Sequence, residues 1–449
     1  MQQFLRVSLS ILRRQFITHG FERLMDRKAA LCCTFSILLA SCGGGGGSGD
    51  LSGGGGTTAP TSTDGQIPSG LIQATDGNFY GTTSGGGQHD VGTIFRLTPA
   101  GVETVLYSFV GGTGDGEYPE GLIQGQDGNF YGTTNDGGVN ACTRTASNGS
   151  TTSGTGCGVI FKVTPAGAET IVYFFKGGAD GGEPNPGLVQ ASDGTLYGTS
   201  LTGGLQGTTA CGVGCGNVFR VTTAGAESAV YNFTGTGGDG SIPTSVIVGT
   251  NGNLYGTTYV GGQSKYGTIF ELTVGGAESQ LYSFQGAADG AYPSTALTEG
   301  TDGALYGTEP YGGSGRGTVF EVGASGGITT LYSFNGSPND GAVPGPLTSG
   351  TGGHFYGITD GGGVTTCSSG CGTVFEFTAG VGESTLFQFP AVTSGSSVGS
   401  PIPYALIQGT DGNLYGTTAA DGTYSYGTVY RLTATGSRTV VYSFGAPNP

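Results

Sequence analysis

From residue 64 onward, apolar and polar residues alternate in short runs broken by glycine, and the runs return in the same order seven times. In the first copy Gly70–Ala74 is followed by an Asp76-Gly77 turn and then Asn78–Thr83. A Gly-rich loop leads to Gly92–Thr98, a Pro-Ala-Gly turn at 99–101, and Glu103–Phe109. The runs are five to seven residues long, rich in Ile, Leu, Val, Thr, Phe and Tyr, and bounded by turn residues, as strands are. Asp-Gly offers the positive φ angles that a two-residue hairpin needs. No apolar pattern of period 3.6 persists beyond two turns, so the pattern predicts an all-β protein.

The copies align on Tyr80, Tyr131, Tyr197, Tyr255, Tyr306, Tyr356 and Tyr415, with spacings of 51, 66, 58, 51, 50 and 59 residues. A repeat near 50 residues marks a solenoid or a propeller. Four short antiparallel strands per repeat match a propeller blade. Both faces of a blade pack on neighbours, which accounts for Ile94 beside Phe95 and Leu97 in the third strand. An open solenoid would need polar capping repeats at its ends, and neither end repeat is atypical. The prediction is a seven-bladed β-propeller of four-stranded antiparallel blades over residues 64–449. The chain begins on a first strand and ends on a fourth, so the ring is expected to close between blades one and seven without a shared blade.

The motifs Asp411-Gly412-Asn413-Leu414-Tyr415-Gly416-Thr417-Thr418, Gly317-Thr318-Val319-Phe320 and Leu331-Tyr332-Ser333-Phe334 resemble the Gloeo-Verruco (GloVer) tandem repeat of exported bacterial proteins. The resemblance covers the whole of 64–449. It implies a surface-anchored repeat protein, with anchors that vary between members, and carries no activity to any residue.

The amino terminus reads as an address. Arg27-Lys28 precedes an apolar stretch over 29–40, too short to span a membrane but suited to a signal peptide. It ends in Leu39-Ala40-Ser41-Cys42, which resembles a bacterial lipobox and implies lipidation of Cys42. An uncleaved anchor helix is the alternative. Residues 1–41 are expected to be the signal, with Met25 the suspected true start. The Arg13-Arg14 pair leaves a twin-arginine signal as a weaker option. Residues 42–63, which include Gly43–Gly47 and Gly53–Gly56, are expected to be a flexible tether. The address is therefore the cell envelope, with lipid as the only link to a membrane, on the outer-membrane or periplasmic face.

Glycine numbers 96 and proline 18, about a quarter of the chain together, which is the range of low-complexity disorder. The 23 Phe and 22 Tyr at recurring places oppose that reading, since a disordered chain lacks such apolar residues. The net charge is −16, and six of the 15 basic but only two of the 31 acidic residues precede Cys42. Nucleic acid and anionic lipid are excluded as partners.

Six cysteines follow Cys42. Cys157, Cys215 and Cys371 each stand just before the third strand, and Cys142, Cys211 and Cys367 precede them in the same loops. Pairing within each loop is the simplest of several possible connectivities, and an exported chain permits it. A zinc reading of Cys-x₃-Cys lacks further ligands. His89 and His354 are expected on opposite rims, so no Ser-His-Asp triad is predicted. Asp76, Asp127, Asp193, Asp302 and Asp411 read as turn residues. Asp64, Asp115, Asp180, Asp239, Asp289 and Asp340 open Asp-Gly segments that run to a proline between blades. Turn and joint roles are expected for both series, with calcium as the alternative. No catalytic residue, resident metal or other cofactor is predicted. The tyrosines of the Tyr-Gly-Thr-Thr runs read as inter-blade packing, and Trp is absent.

By connectivity, the inter-blade loops and the second-to-third-strand loops share one rim, and only tight hairpins occupy the other. The longest loop runs from Asn135 to Gly156. The expected function is a non-catalytic, monomeric binding or scaffold module that engages a glycan or another exported protein at the loop-rich rim. A polysaccharide hydrolase or lyase with carboxylates near the central channel is the alternative, and a structural envelope protein is a third reading.

Overall fold

The computed structural model describes residues 64–139, 142–145, 151–153, 156–204, 214–286, 289–323, 326–367, 370–394, 397–399 and 401–445. The expected signal peptide, Cys42 and tether lie outside them. The described chain forms a seven-bladed propeller of antiparallel sheets. Blade one comprises Gln66–Gln73, Phe79–Gly85, Thr93–Leu97 and Glu103–Ser108, paired in chain order. Blade seven comprises Pro403–Gln408, Leu414–Thr418, Thr428–Leu432 and Arg438–Ser443, so no blade is shared across the termini.

First strands face the axis and crowd one another. A Cβ on Gly70 would stand 2.7 Å from the Gly121 Cα of the next blade. Apolar residues fill the spaces between blades rather than the interior of any one. Leu71, Phe79, Phe95 and Leu97 of blade one pack with Tyr415, Val429 and Phe444 of blade seven. Tyr80 stacks on Phe130 of the next blade with centroids 4.1 Å apart, as the packing reading of these tyrosines requires.

The first strand starts earlier than the pattern predicts, at Gln66 rather than Gly70. The cause is a recurring irregularity. Ile67, Tyr118, Glu183, Ile242, Tyr292, Val343 and Ile402 all have φ between 52° and 63°, and each precedes a proline. A left-handed, β-branched residue before proline is unfavourable on its own. The bend turns its N–H to the preceding blade: Ile67 donates to the Tyr426 carbonyl at 2.9 Å and Tyr118 to Val91 at 2.9 Å. The proline then seats on a glycine. A Cβ on Gly427 would lie 2.5 Å from Pro68 Cδ, and one on Gly92 would lie 2.5 Å from Pro119 Cδ. Joint geometry is thus set by a left-handed residue and proline on one blade and a glycine on the other.

The Asp-Gly hairpins differ from the expected two-residue form. Gly77 N donates to Ala74 O at 2.9 Å and Ala74 N to Asn78 O at 2.9 Å. With Gly77 alone at positive φ, this is a type I turn closed by a left-handed glycine. Asp76 prefers it because its carboxylate, free of the left-handed region, accepts from Asn78 N at 3.0 Å and from Tyr80 Oη at 2.8 Å.

Candidate functional site

The loop-rich rim is built by the joints. The long loop of blade two contains a small hairpin, Thr143–Thr145 with Thr151–Ser153, and the connection into blade seven contains another, Val392–Ser394 with Ser397–Gly399. Disulfides pin two of the second-to-third-strand loops. Cys142 bonds Cys157 at 2.04 Å and Cys367 bonds Cys371 at 2.06 Å. Cys215 is also disulfide-bonded, while Cys211, its expected partner, lies outside the described residues. The cysteine beside each third strand occupies a joint position. Cys157 O accepts from Glu183 N at 2.9 Å and Cys215 O from Ile242 N at 2.8 Å. Blades one, four, five and seven use Val91, Tyr266, Arg316 and Tyr426 there.

At this rim the axial channel opens among side chains that sequence reasoning did not single out. The residue after each joint proline is Ser69, Glu120, Asn185, Thr244, Ser294, Gly345 or Tyr404. Three of these are satisfied locally. Ser69 Oγ donates to Pro119 O at 3.0 Å, Asn185 Nδ2 to Pro243 O at 2.8 Å, and Thr244 Oγ1 pairs with Thr257 Oγ1 at 2.6 Å. Glu120 and Tyr404 depart from this pattern, since neither side chain makes a hydrogen bond among the described residues. Asp360 follows Thr359 at the end of the sixth blade's second strand and is also exposed.

These three residues come from blades two, seven and six, yet they interact. Burial, then the charges of Glu120 and Asp360, push the Tyr404 phenol up. Burial, then Asp136, raises Glu120 to about 7, and burial raises Asp360 to about 6. Tyr404 nonetheless keeps 43% of its surface exposed. The two facts agree if the side chains face channel water within a ring of protein, so their desolvation is partial. Below them lies a cavity of about 220 Å³ lined by Gly70, Gly121, Pro346, Thr348, Tyr404 and Leu406 among others. Two carboxyls shifted toward the neutral form and one exposed phenol can donate and accept hydrogen bonds around a ligand, the carboxyls donating only while protonated.

The other candidate residues are dispersed. His89 is exposed in the first blade's loop, and His354, on the hairpin rim, lies 2.9 Å from Glu376 and 2.7 Å from Thr378 Oγ1. The histidines therefore share no site. The hairpin aspartates are occupied by their own turns. The joint aspartates accept from tyrosines and backbone: Asp289 Oδ2 takes Tyr282 Oη at 2.7 Å and Gln285 N at 2.8 Å. Among the described residues no group of three or more His, Cys, Asp or Glu could hold a metal ion. No helix among them is long and apolar enough to cross a membrane.

The fold and rim define a β-propeller with its variable loops on one face. The Gloeobacter/Verrucomicrobia repeat model matches residues 52–145, 141–368 and 312–449, and the chain belongs to that family. No curated protein sequence matches it. Among solved structures it is similar to a catalytically inactive virginiamycin B lyase from Staphylococcus aureus crystallised with quinupristin. The identity is 16%, over 80% of this chain and 93% of that one, with a TM-score of 0.50. It is also similar to a puromycin hydrolase, at 12% identity over 87% of this chain and 55% of that one, with a TM-score of 0.52. At these identities the likeness is one of fold.

Proposed function

We propose that the protein is an exported, envelope-tethered binding module that holds an uncharged, hydroxyl-rich ligand of the glycan class at the channel mouth on its loop-rich rim. One observation carries this reading: Glu120, Asp360 and Tyr404, from three blades, come together at that mouth with no side-chain hydrogen bond to another described residue. Ligand-binding residues concentrate on loops and strand ends held by a rigid scaffold, and the ring is such a scaffold. A strongly acidic chain disfavours anionic ligands. The disulfides support an oxidising compartment. Lipidation at Cys42 would supply the tether, and Cys42→Ala would then release the protein from the membrane fraction.

The raised pKa values of Glu120 and Asp360 favour a second reading, a hydrolase or lyase that uses one carboxyl as acid and the other as base. The test is a glycan-array and polysaccharide screen of oxidised residues 64–449, with product analysis of every polysaccharide offered. Saturable binding without breakdown supports the module, and breakdown abolished by Glu120→Gln supports the enzyme. Absence of both would overturn both sugar readings and leave an exported protein as ligand.

A further inference from the structure

The inner edges of the blades are joined by a series of side-chain hydrogen bonds. Each reaches a carbonyl within two residues of the next blade's joint proline. Ser69 Oγ donates to Pro119 O at 3.0 Å, Thr133 Oγ1 to Asn185 O at 3.1 Å and Asn185 Nδ2 to Pro243 O at 2.8 Å. Thr257 Oγ1 donates to Thr295 O at 3.2 Å and Thr308 Oγ1 to Gly345 O at 2.8 Å. These bonds fasten blades one to six in order.

Among the described residues the series stops on both sides of blade seven. Where the other blades carry Thr82, Thr133, Thr199, Thr257, Thr308 and Thr417 in the second strand, blade six has Ile358. Where blades one and three carry Ser69 and Asn185, blade six has Gly345. Neither replacement has a side-chain donor to offer blade seven. Toward blade one, Tyr404 stands in place of Ser69, and Thr417 Oγ1 accepts from Ala405 N of its own blade at 3.2 Å. The same interfaces are held elsewhere, by Thr348 Oγ1 on Leu406 O at 2.6 Å and by Ile67 N on Tyr426 O at 2.9 Å.

The cavity below the channel mouth lies at this gap, between blades one, two, six and seven. Of the residues that line it only Thr348 and Tyr404 carry polar side chains, and the Thr348 hydroxyl is engaged by Leu406. Leu71, Leu122, Pro346, Ile358 and Leu406 make the rest of the lining with glycine and alanine. A polar mouth of Glu120, Asp360 and Tyr404 therefore opens onto an apolar floor. Its volume of about 220 Å³ is below that of a pocket for a drug-sized molecule, and suits one ring or one substituent. A hydroxyl set against Ile358 would lose water and gain no partner, and an ammonium there would lose more. A methyl group fills such a space without that loss. At the mouth, carboxyl and phenol groups match a substituent that both donates and accepts, as a secondary amide does.

Resting on the reading that the channel mouth binds a glycan, we propose that the unit held there is an N-acetylated amino sugar, with its amide at Glu120, Asp360 and Tyr404 and its acetyl methyl in the cavity beside Ile358. The specificity comes from blade six. Replacing the threonine of the other six blades by isoleucine removes an inter-blade bond and leaves an apolar recess in its place.

Calorimetric titration of the full, oxidised chain with four methyl glycosides tests this, in the gluco and the galacto series. The four are the N-acetylhexosaminide, its N-formyl analogue, the free hexosaminide and the parent hexoside. The N-acetyl compound should bind about tenfold or more tightly than the N-formyl one, which lacks only the methyl group. Ile358→Thr, which copies the other blades, should bring that ratio close to one. The wild-type ratio decides alone should this variant not fold. Equal binding of the N-acetyl and N-formyl compounds, tightest binding of the free amine, or a ratio that survives Ile358→Thr would overturn the inference. Each of these results leaves the glycan reading in place. Failure of all four compounds where another glycan binds overturns this inference alone, and absence of any glycan ligand overturns both.

Discussion

Tyr442 donates a 2.8 Å hydrogen bond to Asp64 across 378 residues of sequence, which ties the end of the seventh blade to the start of the first. Asp64 also accepts from Gly445 N at 3.1 Å. Alongside, Gln73 Oε1 accepts from Thr410 N at 2.7 Å and Ile67 N donates to Tyr426 O. The closure repeats the bonds of the internal joints, so the ring is sealed by side chains and backbone and needs no exchanged strand.

Removing the acceptor should weaken this closure more than removing the phenol. Asp64→Ala should cost about 2–3 kcal/mol, because a charged acceptor and two donors lose their partners. Tyr442→Phe should cost about 1 kcal/mol, as Phe387 is tolerated at the equivalent place in blade six. Urea titrations of the two variants check the order.

The proline-on-glycine contact predicts a steep contrast between glycines. Gly427→Ala would push a Cβ to 2.4 Å from Thr418 O and 2.5 Å from Pro68 Cδ, at φ +102°, and should cost more than about 3 kcal/mol. Gly77→Ala meets open space and carries only the penalty of φ +81°, about 1 kcal/mol. Thermal melts of both variants read the difference.

The two disulfides whose cysteines are both described should differ in worth by loop length. Cys142–Cys157 spans 15 residues and should contribute about 3 kcal/mol, whereas Cys367–Cys371 spans 4 and should contribute about 2 kcal/mol. Paired serine variants should lower the melting temperature in that order, with the double removal close to additive because the loops lie in different blades.

Ligand capture at the channel mouth should follow the protonation of Glu120. Its carboxyl, raised to about 7, donates a hydrogen bond only while neutral, so affinity should be fullest in mild acid and decline as pH rises through that value. Glu120→Gln, which keeps a donor at all pH values, should flatten the profile. Binding isotherms from pH 5 to 9 would show it.

Period and pattern made the architecture readable: Tyr80 and its six equivalents mark the blades because each must stack on a neighbour. The hairpin form was less legible, since Asp76-Gly77 suits two turn types and only its hydrogen bonds distinguish them. The early start of the first strand was hidden because Pro68 and Gly70 argue against a strand. The channel site escaped for a different reason. Recurring residues draw the eye in a repeat, whereas Glu120 and Tyr404 matter because they break the series Ser69, Asn185, Thr244. Reading the exceptions at aligned positions would have found them. The convergence of blades two, six and seven on one opening depends on ring closure, which no local pattern reveals.

The most direct test of the channel-mouth reading is a calorimetric titration of the best glycan from the screen into the wild-type propeller, Tyr404→Ala and Gln126→Ala. Gln126 borders the small cleft on the opposite, hairpin rim. Loss of binding in Tyr404→Ala with wild-type affinity in Gln126→Ala is the predicted result. Unchanged binding in Tyr404→Ala would contradict the account and move the ligand away from the channel.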